Sequence, residues 1–138
     1  MPCSGKKRPG GCPITHALDT FGDKWSLLVI RDLMLKGCEH YGDFLTSGEG
    51  IATNILADRL KHLEAAGVIR KRCDPENRKR YIYSLTEKGA DLAPVIVELI
   101  RWSITHDPDT QAPKEFLQKI EEDRDGFMEE LRSRLSER

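Results

Sequence analysis

The densest chemistry in this chain lies between residues 70 and 80. Arg70, Lys71, Arg72, Arg78, Lys79 and Arg80 stand there against only Asp74 and Glu76, a local excess of four positive charges. Such a run can neutralise phosphates and release their counterions. On a protruding hairpin it can also serve simply to keep a strand edge from pairing with other chains. Just upstream, helical spacing over residues 52–66 sets Leu56, Leu60 and Leu63 on one face and Asn54, Ala57, Asp58 and Lys61 on the other. Asparagine suits adenine, and lysine suits guanine or phosphate. Thr53, near the start, either reaches a nucleic acid or caps the helix. Arg59 flanks the two faces, and Asp58 either accepts from a cytosine or orients Arg59. Each of these is also an ordinary solvated position, since most contacts in such interfaces go to phosphates rather than bases.

The other reactive side chains point to less. Cys3, Cys12, Cys38 and Cys73 are scattered, with no Cys-x-x-Cys pair. Cys12 with His16, and Cys38 with His40, could be halves of a zinc site, but neither spacing is diagnostic. Cys12 precedes Pro13 at the start of a helix, where the dipole favours thiolate, and Lys6, Lys7 and Arg8 come before it. His16, His40, His62 and His106 are dispersed. There is no His-Glu-x-x-His, P-loop or Gly-x-Gly-x-x-Gly. No enzyme, metal or cofactor is therefore expected.

The 138 residues suffice for one domain. Hydrophobic residues make up 38% and charged residues 33%, which suits a helix-rich chain with a modest core. With 22 Lys and Arg against 23 Asp and Glu, the net charge is −1, so a uniformly basic polyanion binder is excluded and a local basic patch is not. No apolar run approaches the ~20 residues that span a bilayer. The basic N-terminus lacks an apolar segment, so no secretory signal is expected and the cytoplasm is the default.

The elements that must position these groups follow from periodicity. Residues 1–11 carry little apolar content and are expected to be a disordered arm. Helices are expected over residues 13–21, with Ile14, Ala17, Leu18 and Phe21 on one face, over 24–35, capped by Asp23, and over 41–46. After the glycine-rich turn 47–50 comes the helix 52–66. Strands are expected over 68–73 and 81–85, joined by a long tip. A helix capped by Thr86 is expected to run to about residue 105, kinked at Pro94, and a last amphipathic helix over 113–135. Two helices joined by a short turn and followed by a basic hairpin make a winged helix-turn-helix, mainly α with a small β-hairpin and extra helices at both ends. The expected domains are 12–105 for DNA binding and 106–138 for a C-terminal dimerisation helix. The last helix independently asks for a partner, either its own domain or a second copy.

The chain also resembles the HxlR-type regulators, bacterial and archaeal relatives of the MarR group. The resemblance rests on residues 12–33, on Leu56, Arg59-Leu60, Leu63-Glu64 and Gly67, and on Tyr83-Ser84-Leu85-Thr86-Glu87-Lys88-Gly89. It covers about residues 12–105. It implies a homodimeric transcriptional regulator of double-stranded DNA, paired through helices at about residues 13–21 and 114–135. The helical faces and the basic hairpin make Thr53, Asn54, Arg59, Lys61, Arg78, Lys79 and Arg80 the expected DNA-binding set. A two-fold dimer spaces its recognition helices by ~34 Å and prefers an inverted repeat. Some members of the family sense oxidants or electrophiles through a cysteine placed as Cys12 is. The alternative is a structural Cys12 in a regulator whose small-molecule effector binds between the dimerisation helices and the core, with Phe21, Trp25 and Trp102 as candidate linings. Two departures stand out. Ala52 occupies a position where many relatives have a capping serine, and the turn 47–50 is unusually rich in glycine.

Overall fold

The computed structural model describes residues 11–110 and 114–136; the expected arm at 1–10 and Pro113 lie outside the described residues. The chain forms two compact units that divide after Gly89.

The first unit opens with α1, Pro13–Phe21, whose proline takes a first-turn position where its missing N–H costs nothing. α2, Lys24–Leu35, begins where the Asp23 carboxylate accepts from the Ser26 amide at 2.9 Å. α3, Tyr41–Leu45, and α4, Thr53–Ala65, form the helix-turn-helix. In the turn between them Gly48 and Gly50 take φ of +106° and +72°, conformations that explain the glycine-rich spacing. Arg31 of α2 and Lys36, its C-cap, hold this turn: Lys36 Nζ donates to the Ser47 carbonyl at 2.9 Å, and Arg31 Nη1 to Glu49 Oε1 at 3.0 Å. The core gathers Val29, Ile30, Leu33 and Met34 of α2, Phe44 of α3, Leu56, Leu60 and Leu63 of α4, and Val68 and Ile69. Each large side chain buried there contributes roughly 1.5–3 kcal/mol. Contrary to the amphipathic expectation, α1 buries none of its residues, and Ile14 and Leu18 are 68% and 58% exposed.

The wing is an antiparallel pair, β1, Ile69–Asp74, and β2, Asn77–Leu85. It differs from the expected long tip. Asp74 pairs with Asn77 across a tight turn, whereas Cys73 pairs with Tyr81, so Arg78, Lys79 and Arg80 bulge from β2 with no counterpart on β1.

Behind the wing, α5, Glu87–Ala90, is a single turn. The Thr86 hydroxyl donates to the Gly67 carbonyl at 2.5 Å, and Lys88 Nζ donates to the Ala66 carbonyl at 2.8 Å, so the Thr-Glu-Lys-Gly run clamps the C-terminal end of α4.

The second unit contains α6, Ala93–His106, α7, Lys114–Glu122, and α8, Arg124–Ser136. Two expected continuous helices are each broken. Pro94 cannot sit inside a helix without clashing with the carbonyl four residues back, so the chain stops at Ala90 and restarts with Pro94 in the first turn of α6. Asp123 interrupts the last helix because its carboxylate accepts from the Gly126 amide at 3.0 Å and caps a new one. Phe116 and Phe127 meet edge to face at 5.2 Å, and Arg124 pairs with Glu98. Val95, Leu99 and Trp102 of α6 remain exposed. No helix among the described residues is long and apolar enough to cross a membrane.

Candidate nucleic-acid interface

α4 is held from three sides while its polar face stays open. Leu56, Leu60 and Leu63 anchor it in the core. Its N-terminus lacks a side-chain cap, as Ala52 implied. Instead the Tyr41 hydroxyl of α3 donates to the Thr53 carbonyl at 2.7 Å. Further along, half-buried His62 donates from Nε2 to the Thr20 carbonyl at 3.0 Å, tying α4 to the end of α1. Arg59 Nη1 reaches Asp23 Oδ1 at 3.2 Å and its guanidinium also binds Asp58. Asp58 thus orients Arg59, and these hydrogen bonds, that to Asp58 first, raise the Arg59 pKa. Thr53, Asn54 and Lys61 are exposed.

On the wing the cations divide. Arg70 Nε donates to Ser84 Oγ at 3.3 Å, and Lys71 Nζ lies 4.6 Å over the Tyr81 ring. Arg80 Nε donates to Asp74 Oδ2 at 2.7 Å. Arg78 and Lys79 are exposed on the bulge, and among the described residues they and Lys61 form no ion pair. Asp74, at the end of β1, is buried, and the Glu76 amide, then Arg80, hold its carboxyl down to about 2. Sequence spacing passed over Tyr41, His62 and Asp74: a hydroxyl, an imidazole and a turn aspartate whose partners are distant in the chain.

The thiols also separate. Cys12, the N-cap of α1, and Cys73, on β1, are exposed. Cys38 is buried, and that burial, with Asp32 and Asp43 nearby, pushes its thiol up. Of the candidate linings, Trp102 is exposed on α6 of the second unit, and Phe21 and Trp25 are half-buried in the first.

A helix-turn-helix whose second helix presents an open polar face, followed by a basic hairpin, defines the winged helix-turn-helix class, and this chain is a member of it. Residues 20–111 match the model of the HxlR-like helix-turn-helix family, and the chain belongs to that family. It is 40% identical over 88 residues to the uncharacterized HTH-type transcriptional regulator sll1512 of Synechocystis, a match covering 64% of each chain. It is 33% identical over 93 residues to the HTH-type transcriptional regulator YodB of Bacillus subtilis, covering 67% of this chain and 82% of YodB. Among solved structures, the redox regulator HypR in its oxidized form superposes with a TM-score of 0.62 at 27% identity, covering 69% of this chain and 97% of HypR. Reduced YodB superposes with a TM-score of 0.58 at 28% identity, covering 72% and 98%. These relatives are named as regulators, not enzymes, in line with the lack of catalytic motifs.

Proposed function

We propose that this chain is a homodimeric, sequence-specific regulator of transcription that binds an inverted-repeat operator and loses its grip on DNA when Cys12 is oxidised or alkylated. The observation that carries the DNA-binding reading is the exposure of the α4 polar face together with Arg78 and Lys79, exposed on the bulge of the wing with no ion pair among the described residues. In this reading residues 12–105 bind DNA and 106–138 pair two copies. Thr53, Asn54 and Lys61 enter the major groove and Arg78 and Lys79 meet phosphates. Arg59 and Arg80 belong to the same surface, each already engaged by a carboxylate.

Dimerisation is supported by apolar side chains that are exposed within each unit among the described residues, Ile14 and Leu18 on α1, and Val95, Leu99 and Trp102 on α6. Thiol sensing is supported by the exposure of Cys12 at a helix N-terminus and by the likeness to HypR and YodB. A second reading, an effector-responsive regulator with a structural Cys12, is favoured by one feature of the second unit. It is an open groove of about 690 Å³ lined by Val95, Leu99, Trp102, His106 and Arg124.

The test is selection of bound duplexes from a random library, followed by binding with and without diamide. The expected winner is an inverted repeat with half-sites ~10 base pairs apart, bound by two copies. Binding should fall with diamide, recover with reductant, and become indifferent in Cys12→Ser. Loss of binding that persists in Cys12→Ser but vanishes in Cys73→Ser would move the switch to the wing. Indifference of the wild type would leave the effector reading.

A further inference from the structure

The wing is anchored at two heights to the segment that opens α3. At its root, the Tyr83 amide donates to the Glu39 carbonyl at 2.7 Å. At its tip, the Asp74 side chain is only 4% exposed and collects three donors. Oδ2 accepts from Arg80 Nε at 2.7 Å and from His40 Nε2 at 3.2 Å, and Oδ1 accepts from the Glu76 amide at 2.9 Å. His40 is fixed in turn, because Asp43 Oδ2 accepts from its backbone amide at 2.9 Å and lies 3.6 Å from its Nδ1. The bulge carrying Arg78, Lys79 and Arg80 has no ladder bonds to define it. Asp74 closes its base by joining residues 76 and 80, and Asn77 Oδ1 accepts from the Lys79 amide at 3.1 Å within it.

We infer that Asp74, Arg80 and His40 form a bracket that sets the wing against the helix-turn-helix, with Arg80 as a positioning residue and Arg78 and Lys79 as the phosphate-facing pair. This inference rests on the DNA-binding reading above. Its physical basis is that a sheltered carboxylate with three donors cannot give one up cheaply. A guanidinium that leaves Asp74 for a phosphate exchanges one ion pair for another and strands the carboxylate beside the negative backbone of the DNA. A cation meant for phosphate is better left unpaired, as Arg78 and Lys79 are among the described residues.

The bracket makes a prediction opposite in sign to simple electrostatics. Removing a negative charge from a DNA-facing wing should tighten binding; removing this one should weaken it. The experiment compares Asp74→Asn, Arg80→Lys and Arg78→Ala in the full chain, titrating a random-sequence duplex at several salt concentrations. Hydrogen exchange of the peptide spanning Tyr83 is followed in parallel. Asp74→Asn and Arg80→Lys should each lower affinity roughly tenfold, the scale of one lost charge-assisted hydrogen bond, without changing the salt slope. Lysine keeps the charge but lacks the Nε that Asp74 holds. Arg78→Ala should instead lower the slope by about two, one for each copy of the dimer. Exchange at Tyr83 should accelerate in the first two variants alone. Tighter or unchanged binding in Asp74→Asn, full activity in Arg80→Lys, or unaltered exchange would overturn the bracket. If the wild type shows no salt-dependent binding, the DNA-binding reading falls by itself, and the exchange data still decide whether the bracket exists.

Discussion

Cys12, Cys38 and Cys73 show how far residue type alone falls short of function. All three are the same chemical group, yet only Cys12 and Cys73 meet solvent. Thiolate is the reactive form, and Cys38 is held away from it by burial and by the carboxylates of Asp32 and Asp43. Brief treatment of the native protein with iodoacetamide should therefore modify Cys12 and Cys73 while sparing Cys38 until denaturant is added, as read by peptide mass spectrometry. Modification of Cys38 at the rate of Cys12 would show that the first unit opens more readily than its packing implies. The cations obey the same logic. Arg80 and Lys79 are adjacent in the chain, but one is spoken for by Asp74 and the other is not.

Among the elements, much was legible from periodicity. The spacing of Leu56, Leu60 and Leu63 gave α4 its buried face, and Asp23 marked the start of α2. What escaped depends on partners far along the chain. His40 and Asp74 are 34 residues apart, so nothing in the hairpin's own sequence marks the partner that holds Asp74. Pro94 and Asp123 were visible, but whether each bends a helix or divides it depends on local capping that helical periodicity does not encode. The exposure of Ile14 and Leu18 was equally hidden, because an amphipathic pattern announces a face without saying which chain covers it. The Thr-Glu-Lys-Gly run gains a physical reason. A Cβ on Gly89 would stand 2.2 Å from the Val68 carbonyl oxygen and 2.9 Å from the Leu85 side chain. Gly89→Ala should thus cost about 1–3 kcal/mol, the range of overpacked sites, in urea unfolding followed by circular dichroism. A variant as stable as the wild type would mean that α5 does not need to approach the wing so closely.

The whole molecule carries almost no net charge, so its attraction to DNA has to be local. The positive excess sits at residues 70–80, while Glu121, Glu122, Asp123, Asp125, Glu129 and Glu130 crowd the end of the chain. That uneven distribution along the chain favours the wing, rather than the C-terminal helices, as the segment that meets a polyanion. In the proposed dimer a second copy would cover the exposed apolar side chains of α1 and α6, and pairing would double the number of phosphate contacts.

The most direct measurement is the affinity of the full chain for its selected duplex as salt is raised. Lys61, Arg78 and Lys79 from each of two copies should give a linear plot of log affinity against log salt with a slope of roughly −5. Binding that is absent, or that does not respond to salt, would contradict the assignment of α4 and the wing as the DNA-binding surface.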